Sequence, residues 1–133
     1  MSKLTRTNAI LQYPTSPDQE GSLQGFLVGM SNFNGALTKL SPDSTAAPLG
    51  VCVHYDSPGA PASVALMSGG LAGTVKVRLD GSASAGDYLI MGDSGVVLTD
   101  PGSGTRKQLG QALEDGIAEE HIEAILFHPL SLS

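Results

Sequence analysis

The chain has 133 residues, of which 41% are hydrophobic and 15% charged, and its formal net charge is −6. One domain with one core suits this length, and the negative charge argues against the attraction to phosphates that supplies most nucleic-acid affinity, so we expect no nucleic-acid partner. No apolar stretch approaches the ~20 residues that cross a bilayer, and no signal-type apolar run follows the N-terminus, so we expect no membrane partner and synthesis in a cytoplasm.

Turn-forming residues punctuate the whole sequence. Seventeen Gly and eight Pro are the density expected of short strands joined by tight turns. The chain has no Trp and only three Phe and three Tyr, which predicts a thin, aliphatic core. We therefore predict an all-β fold, a small β-barrel or β-sandwich of short antiparallel strands.

The first segment differs from the rest. Residues 1–22 contain Pro14 and Pro17 and lack a sustained apolar period, which predicts an extended N-terminal arm. A single β domain is predicted over residues 23–133. It opens with a hairpin, because Asn34-Gly35 adopts positive φ at low cost between two apolar runs.

The centre of the chain gives the clearest strand pattern. In the stretch from 74 to 79, Val75, Val77 and Leu79 alternate with polar neighbours, which predicts a half-buried strand. Residues 87–99 predict a compact hairpin. The single cysteine, Cys52, lies in an apolar run and is interpreted as a small buried hydrophobe, with a redox or nucleophilic role as the minority interpretation.

The segment 114–127 fits two structures. Ile117, His121, Ile122 and Ile125 fall at helical spacing. Residues 122–127, however, resemble a closing strand that ends at His128-Pro129. We favour the strand.

Gly92-Asp93-Ser94-Gly95 resembles the nucleophile loop of chymotrypsin-like serine proteases, in which backbone groups form the oxyanion hole. That family continues with Gly and Pro, whereas this chain continues with Val96 and Val97. We interpret the four residues as a turn and expect no catalytic residues.

Potential metal ligands are scattered along the chain. The three histidines, His54, His121 and His128, lie on separate segments without the spacing of a ligand pair. Aspartates recur in the turns, but not in the pattern of a calcium loop. We expect no metal and no cofactor.

A succession of short motifs between Leu49 and Leu130 resembles the phage capsid decoration, or cement, protein family. The motifs are Gly50-Val51-Cys52-Val53, Val75-Lys76-Val77-Arg78-Leu79-Asp80-Gly81, Ala83-Ser84-Ala85-Gly86-Asp87-Tyr88-Leu89, Gly95-Val96-Val97-Leu98-Thr99 and Leu109-Gly110-Gln111-Ala112-Leu113-Glu114-Asp115. The resemblance implies a small β-barrel that caps capsomer junctions, commonly as a trimer, and it implies no active site. The arm and the first hairpin depart from the family pattern.

The resemblance leads to an expected function. We expect a bacteriophage capsid decoration protein that binds the outer surface of the head lattice and stabilises it, made in the host cytoplasm and located on the virion. The expected partners are the major capsid protein and further copies of the chain, with a homotrimer favoured. Because Lys3 and Arg6 make the arm locally positive and extended arms add readily to sheet edges, the expected capsid contacts are Ser2, Lys3, Leu4, Thr5, Arg6, Ile10 and Tyr13.

Two other functions fit parts of the sequence. One is a phage tail or spike module that binds a receptor or carbohydrate, since compact β domains often carry such sites on their loops. Sugar sites usually stack on exposed aromatic rings, which are scarce here. The other is a small hydrolase built around Asp93 and Ser94.

Overall fold

The structure, a computed structural model, describes residues 10–31, 34–67 and 74–133. These residues form two five-stranded antiparallel sheets, and the predicted all-β fold is confirmed. Sheet A has the order β1-β5-β4-β2-β3, and sheet B the order β6-β10-β9-β7-β8. The strands are β1 (Ile10–Tyr13), β2 (Leu27–Met30), β3 (Leu37–Lys39), β4 (Ala47–His54), β5 (Ala62–Leu66), β6 (Val75–Arg78), β7 (Tyr88–Met91), β8 (Val97–Thr99), β9 (Arg106–Ala112) and β10 (His121–Leu132).

Sheet A contains the first predicted hairpin. β2 pairs with β3, and Gly35 in the connecting turn has a φ of 69°, as the Asn-Gly pair predicted. In β4, a side chain at Gly50 would overlap the backbone of Ala65 on β5. The absence of a side chain at Gly50 therefore lets β4 and β5 pack closely.

The two edges of sheet A meet. Thr15 forms a parallel bridge with Leu37, and the N–H of Leu37 donates to the Pro14 carbonyl over 2.9 Å. The chain leaving β1 thus reaches β3 at the opposite edge and encloses a small core. Its buried members are Leu23, Val28, Leu37, Cys52, Ala62 and Val64, so the predicted burial of the cysteine is confirmed.

Sheet B surrounds the larger core. Val77 and Leu79 are 1% exposed, which confirms the alternation predicted for β6. Leu27 and Val51 of sheet A pack into the same core and cover its open side. At one point the edges of sheet B touch, because Leu79 bridges Val97 and curls the sheet towards a half-barrel.

β10 settles the ambiguity of the C-terminal segment in favour of the strand. It extends beyond the predicted end at His128-Pro129, because the register with β9 shifts between Leu126 and Leu130. A proline lacks the N–H that a sheet needs, and such a shift accommodates it.

The predicted arm, residues 1–22, falls partly outside the described residues. From Ile10 to Tyr13 it forms β1, which pairs with β5. The part of the chain that the structure describes contains no helix with the length and hydropathy needed to cross a bilayer.

Candidate interaction surfaces

A groove of about 660 Å³ lies where sheet A meets the β6 edge of sheet B. One wall comes from β4, β5 and β1, and the other from β6 and the start of β10. Gln24 and Gly25, which precede β2, also line it. No local segment builds this groove, because its walls join strands that are far apart in sequence.

The wall formed by sheet A is apolar. Val51, Val53, Ala65 and Ile10 line it. Val53 is 38% exposed and Ile10 50% exposed, so this wall offers apolar surface to a partner.

The opposite wall presents an open strand edge. Residues of an antiparallel strand alternately direct both backbone groups to one neighbour and both to the other side. The N–H of Leu79 donates to the Glu120 carbonyl before β10, whereas that of Asp80 donates to Val97 on the opposite side. The N–H and C=O of Lys76 therefore point away from β10, and no described strand pairs with β6 there.

Basic side chains gather around this edge. The Lys39 ammonium lies 3.9 Å from the centre of the Phe26 ring, and the Arg78 guanidinium lies 5.6 Å from it. Such contacts with the negative face of a ring hold cations in place. Arg78 also pairs at 4.0 Å with Glu119, whereas Lys39 and Lys76 form no ion pair with any described residue.

His121 sits among these cations. It faces Arg78 in the β6–β10 register and packs against Gly25, where any side chain would collide with the imidazole. Burial lowers the pKa of His121, and the charges of Arg78 and Lys76 lower it further. The histidine is therefore held in its neutral form at neutral pH.

The groove also holds one carboxylate. Glu123 faces Lys76 in the register, and its Oε2 atom is buried without a hydrogen-bond partner in the described chain. Its backbone N–H donates to the Glu114 carboxylate over 2.8 Å. The charged residues in the groove lining are therefore Lys76 and Glu123, whereas Arg78 lies outside the lining, on the same side of β6 as Lys76.

The outer face of sheet B has a different character. Its exposed apolar residues are Tyr88 at 51%, Leu113 at 42%, Ile125 at 45% and Leu130 at 53%. Tyr88 and Ile125 both face Gln111, one on each side of β9. Gln111 lies between these two residues, and Glu123 lies two residues before Ile125 on the same side of β10.

A polar cluster borders that face at the end of β8. The Asp100 carboxylate accepts bonds from Arg106 Nε at 2.5 Å, Gln108 Nε2 at 2.8 Å and the Gly102 N–H at 2.8 Å. The Gly102 N–H lowers the pKa of Asp100 most, and the two side chains add to the effect. The cluster neutralises Arg106 and fixes the loop before β9.

The loop that resembled a protease site is a structural turn. Asp93–Gly95 forms a single 3₁₀ turn between β7 and β8, with Ser94 at a φ of 57°. The Ser94 N–H donates to Ser41 Oγ over 2.9 Å, and Gly95 is buried against Phe26 and Leu27. The residues therefore join the two sheets.

No three His, Cys, Asp or Glu side chains gather in the described ranges in a way that could hold a metal ion. The histidines that the sequence singled out thus form no ligand cluster there.

The predicted capsid contacts are only partly described. Ser2, Lys3, Leu4, Thr5 and Arg6 lie outside the described residues. Ile10 lines the groove, and Tyr13 packs against the smaller core. The cluster of Lys39, Arg78 and Phe26 was not predicted, although the alternation of β6 places Lys76 and Arg78 on its exposed side. No sequence signal places Lys39 and Phe26 beside them.

A solved structure of similar fold gives the context for these surfaces. The chain is similar to the head fiber gp8.5 N base in bacteriophage phi29, with a TM-score of 0.62 and 14% identity. The match covers 93% of this chain and 98% of the other. At this identity the likeness shows a shared fold. No protein-family model matches the chain, and no curated protein matches it.

Proposed function

We propose that the protein is a structural component of a bacteriophage head, and specifically a decoration protein that binds the outer surface of the capsid lattice and stabilises it. The observation that carries the proposal is the fold shared with a head fiber base over nearly the full length of both chains. The sequence motifs between Leu49 and Leu130 support the same class independently.

The surfaces suit a protein that acts by contact. Two areas are available: the groove beside β6, and the outer face of sheet B with its exposed Tyr88 and Ile125. The serine that could have been a nucleophile belongs to a turn that holds the sheets together. We therefore propose that the protein is not an enzyme and works through broad surface contact with the major capsid protein.

Self-association is part of the proposal, with a trimer favoured. Tyr88, Ile125 and Leu130 expose about half of their surface on the outer face of sheet B, and contact between copies would remove them from water. An oligomer that repeats modest contacts gains avidity of ~10² to 10⁴ over a single site. Decoration of a repeating lattice is the setting in which such avidity is useful.

The carbohydrate-binding alternative has less support. Tyr88 is the one aromatic residue among the exposed large hydrophobics of the described chain. A sugar site would need more stacking surface than one isolated ring provides.

Binding to phage heads assembled without this protein tests the proposal. We expect saturable co-sedimentation of the purified protein with the heads, and heads that resist heating better when occupied. A variant lacking residues 2–9 tests the proposed arm contact and keeps β1 intact. We expect it to bind more weakly, and unchanged occupancy would remove the arm from the proposal. Failure of the full chain to bind at saturating concentration would overturn the function.

A further inference from the structure

The groove beside β6 combines an apolar wall with an open strand edge, and the strand at that edge carries Lys76 and Arg78 on one side. We propose that it is a docking site for an extended, acidic segment of a partner chain, which adds as a short strand to the free edge of β6. The inference rests on the proposed function only for the partner's identity, which would be the capsid protein.

The open edge determines the conformation of the segment. The backbone N–H and C=O of Lys76 point away from β10, towards the side of β6 that no described strand pairs with, and the described bridge to β8 lies at Leu79. A segment in extended conformation pairs with such an edge through main-chain hydrogen bonds. A helix would leave the backbone groups of Lys76 unpaired.

The charges determine the composition of the segment. Lys76 is exposed at the edge, Arg78 lies on the same side of β6, and Lys39 shares the Phe26 ring with Arg78. Lys39 and Lys76 form no ion pair with an acidic residue of the described chain, and the Arg78 guanidinium lies 4.0 Å from the exposed Glu119 carboxylate. Carboxylates on the segment would supply the missing partners and fix its register.

The apolar wall determines the other side chains. Successive residues of a strand point to opposite sides, so a segment paired with β6 would turn alternate side chains towards sheet A. Val53, Ala65 and Ile10 form the surface that they would meet. The best fit is therefore a segment in which acidic and aliphatic residues alternate.

A peptide that alternates valine with glutamate is the direct probe. We expect it to bind the full chain and to perturb the amide resonances of Lys76 and Val77 in an NMR titration. Lys76→Glu should weaken binding by about tenfold, equivalent to about 1.4 kcal/mol, because reversal replaces attraction with repulsion. The matched control is Lys107→Glu, which changes the net charge equally on β9, away from the groove lining.

Two further peptides separate the contribution of main-chain hydrogen bonds to β6 from the contribution of the charges. The same peptide methylated on alternate backbone nitrogens keeps its carboxylates but loses donors to the edge, and we expect it to bind at least about tenfold more weakly. A peptide that alternates valine with lysine should not bind. Equal loss in both charge reversals, or undiminished binding of the methylated peptide, would overturn the docking site, as would failure of the valine-glutamate peptide to bind.

Head binding distinguishes failure of this inference from failure of the proposed function. If Lys76→Glu decorates heads as well as the wild type does, the docking site is wrong and the decoration function stands. If the peptide binds the groove but the wild type ignores the heads, the decoration function is wrong and the docking site stands.

Discussion

The groove beside β6 and the outer face of sheet B are both exposed, yet they are built for different contacts. The groove combines an open strand edge, which carries Lys76, with an apolar wall, whereas the outer face of sheet B exposes Tyr88 and Ile125, and Asp100 pairs with Arg106. Charge and backbone direction make the groove selective for one kind of segment. The outer face depends on area and shape, which suits contact between copies.

The largest expected effect is the difference in stability loss between substitutions on the two faces of β10. Ile122 is 1% exposed in the main core, whereas Ile125 is 45% exposed on the outer face. Ile122→Ala should lower the free energy of unfolding by about 3 kcal/mol because it leaves a cavity. Ile125→Ala should change it by less than about 0.5 kcal/mol. Urea unfolding of both variants measures this, and equal losses would show that the outer face holds the fold together.

A charge on the outer face should break association between copies. Ile125→Arg would place a guanidinium against apolar surface, and we expect the association constant to fall by at least about tenfold, or about 1.4 kcal/mol. Lys76→Glu, in the groove, should leave association unchanged. Sedimentation equilibrium measures both variants. If the groove variant dissociates the oligomer and the face variant does not, the two surfaces have been assigned the wrong roles.

A substitution at Asp100 tests how much its ion pair with Arg106 stabilises the fold. Asp100→Asn would leave Arg106 unpaired, and we expect a loss of about 1 to 2 kcal/mol in thermal or urea unfolding. The folded state lowers the pKa of Asp100 below its ordinary value of 3.8. The stability that this carboxylate contributes is therefore fully present above about pH 3.8 and is lost as the pH falls through the lowered pKa. Asp93→Asn, in an exposed turn, is the control. A loss of similar size in that variant would contradict the role given to Asp100.

The smallest expected effect is the pH response of the groove. The pKa of His121 is lowered from 6.5, so the unfolded chain takes up the proton first, and stability should fall as the pH drops through that value. His121→Gln should remove this dependence of the free energy of unfolding on pH. Urea unfolding at several values between about pH 8 and about pH 5.5 would detect the change. His128→Gln, exposed on the same strand, should retain the dependence. An unchanged slope in the His121 variant would mean that the imidazole is not confined as described.

Local chemistry made part of this fold predictable. Asn34-Gly35 and the turn at 92–95 each join neighbouring strands, so the two hairpins follow from residues close in sequence. The alternation of Val75, Val77 and Leu79 likewise fixed which face of β6 is buried. Turn chemistry and side-chain period are properties of short segments, and a single sequence contains them.

The long-range pairings were not predictable in the same way. Nothing near Ile10 indicates that β1 pairs with β5, and nothing near Lys39 indicates that it shares the Phe26 ring with Arg78. Continuation of β10 past Pro129 depends on a register shift against β9. The groove depends on the pairing of β1 with β5 and on the approach of β6 to sheet A, which explains why its components were visible separately but not as a site.

Occupancy of phage heads by the wild-type protein is the measurement that tests the central claim most directly. Purified protein titrated against heads assembled without it should bind to a plateau set by the number of lattice positions. Heads that remain bare at saturating protein, or purified protein that turns over an ester or a peptide, would contradict a function based on surface contact.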